Sequence, residues 1–148
     1  MVIAKKIAKS MRKISIILLF LLFACSDQIE TSYKSFQIAS KNSFFQKGWI
    51  PKNLVAESMQ NIYLKNNIDT NSAIFYFYVS EMDRKKLENK LQISKKKDVQ
   101  IRSLKIPSWW KKKIKNLPKY VFDDENNFQV HIAINKNTNE ILGWRDDH

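Results

Sequence analysis

Residues 73–79 read A-I-F-Y-F-Y-V, an unbroken run of apolar and aromatic side chains. One alternating face of this run carries Ala73, Phe75, Phe77 and Val79, and the other carries Ile74, Tyr76 and Tyr78. A strand that is apolar on both faces is typical of the interior of a sheet, with other elements packed on each side. We therefore expect residues 73–79 to form the middle of the fold.

Two hairpins are predicted around Asn-rich turns. Residues 61–65 alternate apolar and polar side chains before the turn at 66–71, and the run 73–79 follows. A second alternating run covers 128–134, and after the turn at 135–139 the chain returns over 140–145. The tripeptide D-T-N at 69–71 also echoes N-T-N at 137–139, which indicates that the two hairpins are related units.

Helices are predicted on either side of a basic stretch. Ser80 and Asp83 match a capping box, so a helix should begin there. A short basic amphipathic helix is predicted from Ser108, which would cap it, with Trp110 and Ile114 at helical spacing. Residues 94–105 are predicted as a loop or a short edge strand. These elements predict an α+β fold, a four-stranded antiparallel sheet built from two hairpins with one or two helices across a face, as a two-layer sandwich.

The N-terminus has the pattern of an export signal. Basic residues at 5–13 precede the apolar run I-S-I-I-L-L-F-L-L-F and the pair Ala24-Cys25, and the run is shorter than the roughly 20 residues that a spanning helix needs. The stretch resembles the signal of bacterial lipoproteins, which implies cleavage after residue 24 and lipid attachment to Cys25. Leu22 and Ala24 fit the family's pattern, whereas Phe23 departs from it. A signal-anchor helix and a signal without lipidation remain open.

This interpretation divides the chain into a signal peptide at 1–24, a lipid-anchored tether at 25–47 and a single α+β domain at 48–148. In the resemblance, Ser26 in place of Asp after the cysteine implies the outer membrane, with the domain facing the periplasm. Loss of the signal lowers the formal charge from +12 to +7. Residues 84–119 hold fourteen basic and two acidic side chains, a segregation that favours an anionic partner. Export argues against nucleic acid, and a merely solvated lysine surface remains the alternative.

Few residues offer catalytic chemistry. Metalloprotease, phosphate-loop and nucleophile-elbow motifs are all missing, and the sole cysteine is assigned to the lipid. His131 is predicted on the polar face of a strand, where it could act as the base of a small hydrolase. The acidic cluster at 123–125 is interpreted as a solvated loop because it does not have the spacing of a calcium loop, and His148 beside two aspartates does not form a designed site. No cofactor and no metal are expected.

The strongest functional candidate is a basic, tryptophan-containing surface. It consists of Trp109, Trp110, Lys111, Lys112, Lys113 and Lys115. Tryptophan favours membrane interfaces and lysine attracts anionic head groups, so this surface could bind a membrane, an acidic protein or an anionic envelope component. The alternative is that both tryptophans fill the core while the lysines face water.

A second resemblance, carried by W-I-P at 49–51 and D-T-N at 69–71, is to small envelope lipoproteins of bacteria and implies no catalytic motif. The leading hypothesis is a membrane-tethered, non-enzymatic binding protein of the cell envelope, such as an immunity or inhibitor protein. The competing hypotheses are a structural envelope lipoprotein and a small hydrolase that uses His131.

Overall fold

The computed structural model describes residues 28–93, 104–123 and 129–145. The signal and Cys25 lie outside these residues, as do Asp124, Glu125 and His148. Most of the predicted loop at 94–105 also lies outside them.

The fold is a mostly antiparallel sheet with a few short helices, which confirms the α+β class. Six strands have five to eight residues and a seventh has two: β1 (Gln28–Ser35), β2 (Gln60–Asn67), β3 (Ser72–Tyr78), β4 (Gln92–Ile93), β5 (Lys119–Asp123), β6 (Gln129–Asn135) and β7 (Glu140–Arg145). The helices are α1 (Phe36–Lys41), α2 (Glu81–Glu88) and α3 (Ser108–Ile114). Two 3₁₀ turns, Phe45–Lys47 and Lys52–Leu54, follow α1.

The strand order is β1-β2-β3-β7-β6-β5-β4, so the predicted four-stranded sheet was too small. Both predicted hairpins are present as β2–β3 and β6–β7, and they meet along the β3–β7 pair. Strands β1, β4 and β5 are additions to the prediction. Of these, β1 pairs along β2 at the sheet edge and has only half-buried or exposed side chains. An edge strand of this kind lacks the apolar alternation that reveals a strand in sequence.

The segment predicted as a tether contributes to this sheet. Its described part, residues 28–47, forms β1, α1 and the first 3₁₀ turn, and it buries Ala39 and Phe44 in the core. The structure therefore has folded elements on both sides of the predicted domain start at Gly48.

Helices cover both faces of the sheet, so the predicted two-layer arrangement is replaced by three layers. One face, here called face A, packs against α1, α2 and the 3₁₀ turns around Phe75 and Phe77. The opposite face B packs against α3 around Ile74. The expectation that residues 73–79 are covered on both sides is confirmed, because Ala73 through Phe75 and Phe77 are fully buried.

The two hairpins are related by a pseudo-twofold axis perpendicular to the sheet. Tyr63 pairs with Tyr76 in β2–β3, and His131 pairs with Trp144 in β6–β7, each residue lying 68 positions after its counterpart. With this offset, each residue pair between β3 and β7 maps onto a pair of the same two strands. The pair at the axis maps onto itself, so Phe75 is equivalent to its own partner Gly143. β1 and β5 flank the hairpins at equivalent places, so the sheet contains two three-stranded units, β1–β3 and β5–β7.

The predicted relation between the turns is confirmed in their geometry. Asn71 and Asn139 both adopt the left-handed conformation, with φ of 47° and 56°, which asparagine tolerates better than most residues. The side-chain oxygens of Asn67 and Asn135 accept hydrogen bonds from the backbone amides two residues on, at 3.0 and 3.1 Å. Both turns are therefore stabilised by an asparagine side chain, and each ends in an asparagine with left-handed backbone conformation.

Each turn is also bound by a buried arginine. The Arg145 guanidinium donates to the backbone and side-chain oxygens of Asn71, and it stacks on Trp49 with 4.8 Å from Cζ to the ring centroid. Arg84 of α2 donates from Nε to the Asn139 side chain at 2.8 Å. The turn of the first unit is thus held from the second unit, and the turn of the second is held by α2.

The capping box at the start of α2 is confirmed with an added relay. The Ser80 hydroxyl accepts from the Asp83 amide at 3.1 Å. The Ser80 amide donates to the Ser58 hydroxyl at 3.0 Å, and that hydroxyl donates to the Asp83 carboxylate at 2.6 Å. Ser58 therefore closes the second arm of the box, and these hydrogen bonds, Ser58 first, hold the pKa of Asp83 below its ordinary value.

Candidate functional site

Helix α3 lies on face B across the pseudo-twofold axis and contacts both units through its two tryptophans. Pro107 precedes it as the N-cap, and Ser108, predicted as the cap, is its first helical residue. Trp110 is fully buried, with its ring at 5.7 Å and 88° to that of Trp144. Trp109 makes edge contacts with Tyr63 and Tyr76 at 5.4 and 5.5 Å.

The sheet residues that the two tryptophans contact occupy equivalent positions under the pseudo-twofold axis. Tyr63 stacks on Tyr76 with a centroid distance of 5.4 Å and an angle of 18°. His131 stacks on Trp144 at 5.2 Å and 18°. Each unit therefore presents one cross-strand aromatic pair on face B, and each tryptophan of the doublet sets a ring edge against one pair. Edge-to-face contacts of this kind add to the stability that apolar burial provides.

The residues of the predicted surface therefore fall into two groups, some committed within the protein and some exposed. Trp110 belongs to the core, as the alternative interpretation held for both tryptophans, while Trp109 keeps 39% of its surface exposed. Lys113 is also committed within the protein: its ammonium forms an ion pair with the buried carboxylate of Glu140 and lies 5.1 Å from the centroid of Tyr76. Burial lowers the pKa of Lys113, but Glu140 more than offsets this and leaves it raised.

Three lysines of the predicted set remain at the surface. Lys111, Lys112 and Lys115 are exposed, and no ion pair joins them to a carboxylate within the described ranges 28–93, 104–123 and 129–145. The lysines of α2 differ, because Lys85 pairs with Glu81 at 2.7 Å and Lys86 with Asp83 at 3.4 Å. Among the described residues of the basic segment, α2 lies on face A and α3 on face B.

Sequence reasoning missed an open groove on face B of the first unit. It is lined by Ser32 and Lys34 of β1, Asn61 of β2, and Tyr76 and Tyr78 of β3, with a volume of about 460 Å³. A register shift between Gln60 and Tyr63 bends β2 here, and Asn61 has a left-handed φ of 47°. A bulge is specified by three-dimensional pairing, so only the isolated Asn61 could have signalled it.

The pKa is raised for two tyrosines at this place, Tyr63 of β2 and Tyr78 of β3. Burial, followed by the nearby Glu30 carboxylate, raises the pKa of Tyr63 to about 12. Burial and Glu140 raise the pKa of Tyr78 as well. Glu30 also pairs with Lys65 at 2.7 Å, so its charge is balanced within the sheet.

His131 does not lie on a solvated face, and that prediction was wrong. It is 8% exposed and sits under Trp144, because α3 covers the polar-looking side of β6. Its cross-strand neighbours are Val121 and Trp144, neither of which is acidic.

The part of the chain that the structure describes contains no group of three or more His, Cys, Asp or Glu side chains able to hold a metal ion. Within the same residues, no helix has the length and apolar character to cross a membrane.

The comparison with protein families found a match to one part of this sheet. Residues 27–78 match the YbbD head domain, a bacterial family. The matched segment includes β1, α1 and the β2–β3 hairpin, which is the first three-stranded unit together with the covering elements that interrupt it. The second unit lies outside the match although its strand pairing is equivalent. No curated protein and no solved structure matches the chain significantly.

Proposed function

We propose that this protein is a membrane-tethered, non-enzymatic binding protein of the cell envelope, anchored through a lipid on Cys25 and facing the periplasm from the outer membrane. Its partner would be an acidic protein, as for an immunity or inhibitor protein, or an anionic envelope component. The observation that carries the proposal is the outer surface of α3. There Lys111, Lys112 and Lys115 stand beside the partly exposed Trp109 while the lysines of α2 pair with acids of their own helix.

Electrostatic reasoning supports an anionic partner. Exposed lysines that form no ion pair within the described part of the chain project a positive field, which speeds the encounter with a negative surface and is screened by salt. A tryptophan at the same surface supplies apolar area for a short-range contact. The buried position of His131 gives the hydrolase hypothesis no comparable support, because a general base has to reach its substrate.

The test is a triple charge reversal, Lys111→Glu, Lys112→Glu and Lys115→Glu, in the whole chain. Binding is measured to vesicles with and without anionic lipid, and by cross-linking capture from envelope fractions. Near an anionic surface each lysine contributes enough that the loss of three should weaken binding about a hundredfold. Lys113 stays unchanged because its ion pair with Glu140 supports the fold.

The matched control reverses three exposed lysines elsewhere, Lys41, Lys47 and Lys90, which changes the net charge by the same amount. If the control weakens vesicle binding and capture as much as the α3 variant does, then binding follows net charge and the proposal fails. Loss of capture with unchanged vesicle binding identifies an acidic protein as the partner.

A further inference from the structure

The aromatic pairs on face B differ in exposure between the two units, and this difference motivates a further site. In the second unit the aromatic pair His131–Trp144 is 8% and 4% exposed beneath Trp110. The equivalent Tyr63–Tyr76 pair is only half-buried beneath the partly exposed Trp109. Core packing favours burial of the aromatic pair, as in the second unit. The first unit instead keeps part of its aromatic surface open to solvent.

The surface continues from the helix into the groove. Trp109 contacts Tyr76, and Tyr76 meets Tyr78 at 6.4 Å with the two rings perpendicular at 87°. One face of Tyr76 is occupied by Tyr63, whereas Tyr78 lines the groove and pairs with Glu140 of the neighbouring strand β7. Tyr76 and Tyr78 thus form an aromatic corner in the lining of the groove.

The groove lining combines this corner with a small set of polar groups. The Ser32 hydroxyl and the Asn61 amide can each donate and accept hydrogen bonds, and Lys34 brings one exposed positive charge. Polarised C–H bonds of a pyranose ring are attracted to the negative face of an aromatic ring. Neighbouring sugar hydroxyls need partners that both donate and accept, and a volume of about 460 Å³ lies in the range of small-ligand sites.

We infer that this groove binds an oligosaccharide that carries a carboxylate. Tyr78 stacks on a pyranose ring, Tyr76 forms the wall of the site, Ser32 and Asn61 bind hydroxyls, and Lys34 binds the carboxylate. These residues are separate from Lys111, Lys112 and Lys115, so the inference stands or falls independently of the proposed function.

The experiment is calorimetric titration of the whole chain with two probes, tri-galacturonic acid as the acidic sugar and tetra-N-acetylchitotetraose as the neutral one. We expect the acidic probe to bind with a Kd of about 1 mM or tighter and the neutral probe to bind more weakly. Tyr78→Ala should weaken both by about tenfold or more, and Lys34→Gln should remove the preference for the acidic probe. Tyr78→Phe, which keeps the ring, should retain binding and serves as the readout if the alanine variant does not fold.

Two controls separate this site from the α3 surface. The triple variant at Lys111, Lys112 and Lys115 should bind both sugars as the unmodified chain does, and a hexapeptide of aspartate and glutamate should not compete. The inference is overturned if neither sugar binds at about 5 mM. It is equally overturned if Tyr78→Ala and Lys34→Gln leave binding unchanged, or if the acidic peptide displaces the sugar.

Discussion

Replacing Gly143 by alanine probes the contact at the pseudo-twofold axis. Gly143 of β7 pairs with Phe75 of β3, and both positions point toward face A. A Cβ at residue 143 would lie 2.1 Å from Cζ and 2.2 Å from Cε2 of Phe75, whereas carbon atoms pack best at about 3.5–4.0 Å. At the axis the two equivalent positions face the same space in the core, which the Phe75 ring fills. The other position therefore has no side chain, as Gly143.

The expected magnitude follows from how little room the ring has. Phe75 is fully buried and lies parallel to Phe77 at 6.1 Å, so it has to displace other core groups to make way for the new methyl. Overpacking of a core costs about 1–3 kcal/mol, and we expect Gly143→Ala to lower the free energy of unfolding by about 3 kcal/mol. Without a clash the sign would be reversed, because alanine in a strand is favoured over glycine by roughly 0.5–1 kcal/mol.

The assay is urea unfolding followed by tryptophan fluorescence, carried out as a double-mutant cycle with Phe75→Leu. In that background the methyl has room, so Gly143→Ala should cost less than about 1 kcal/mol, a coupling of about 2 kcal/mol. Gly48→Ala is the control: its Cβ meets no atom within 4 Å and its φ is +71°, so its cost should be equal in both backgrounds. A stabilising Gly143→Ala, or an equal cost in both backgrounds, would refute the argument.

Three further predictions concern other contacts. Trp110→Ala should lower the free energy of unfolding by about 3–5 kcal/mol and Trp109→Ala by much less, as measured by urea unfolding, because only Trp110 is fully buried. Ser58→Ala should reduce the loss of stability on acidification, as measured by thermal unfolding against pH. The lowered pKa of Asp83 stabilises the fold above its unfolded value of 3.8, and this stability disappears as pH falls through the folded pKa. Ultraviolet titration should show a phenol with a pKa of about 12 that Tyr63→Phe removes; its stabilising effect is complete below pH 10 and is lost as pH rises toward 12.

The sequence predicted those parts of the fold whose signals are local. Alternation revealed both hairpins, the Ser80 box revealed the start of α2, and the two-sided apolar run at 73–79 revealed an interior strand. Strands β1, β4 and β5 were missing from the predicted four-stranded sheet: β1 has only half-buried or exposed side chains, and β4 has only two residues. Strand order depends on pairing between distant residues, which no local pattern contains.

The candidate site was predicted in part for a related reason. The sequence drew attention to the doublet Trp109-Trp110, but whether each ring is buried depends on which unit of the sheet it meets. Lys113 looks like its neighbours in sequence, and only the return of β7 brings Glu140 to its ammonium. His131 has the spacing of an outward-facing residue, and helix α3 makes that face an interior one.

The two units related by the pseudo-twofold axis share some features and differ in others. The shared features are those that both units use to form the fold. Asn71 and Asn139 have the same conformation, and each is bound by an arginine, so both belong to the machinery that closes a hairpin. The aromatic pairs also share their stacking geometry, so each unit has the same cross-strand stack on face B. What differs between the units is exposure: α3 closes the second pair under Trp110 and leaves the first open beside Trp109. The two units therefore share the stacked pair but not its exposure, and the more exposed aromatic side chains lie along Trp109, Tyr76 and Tyr78.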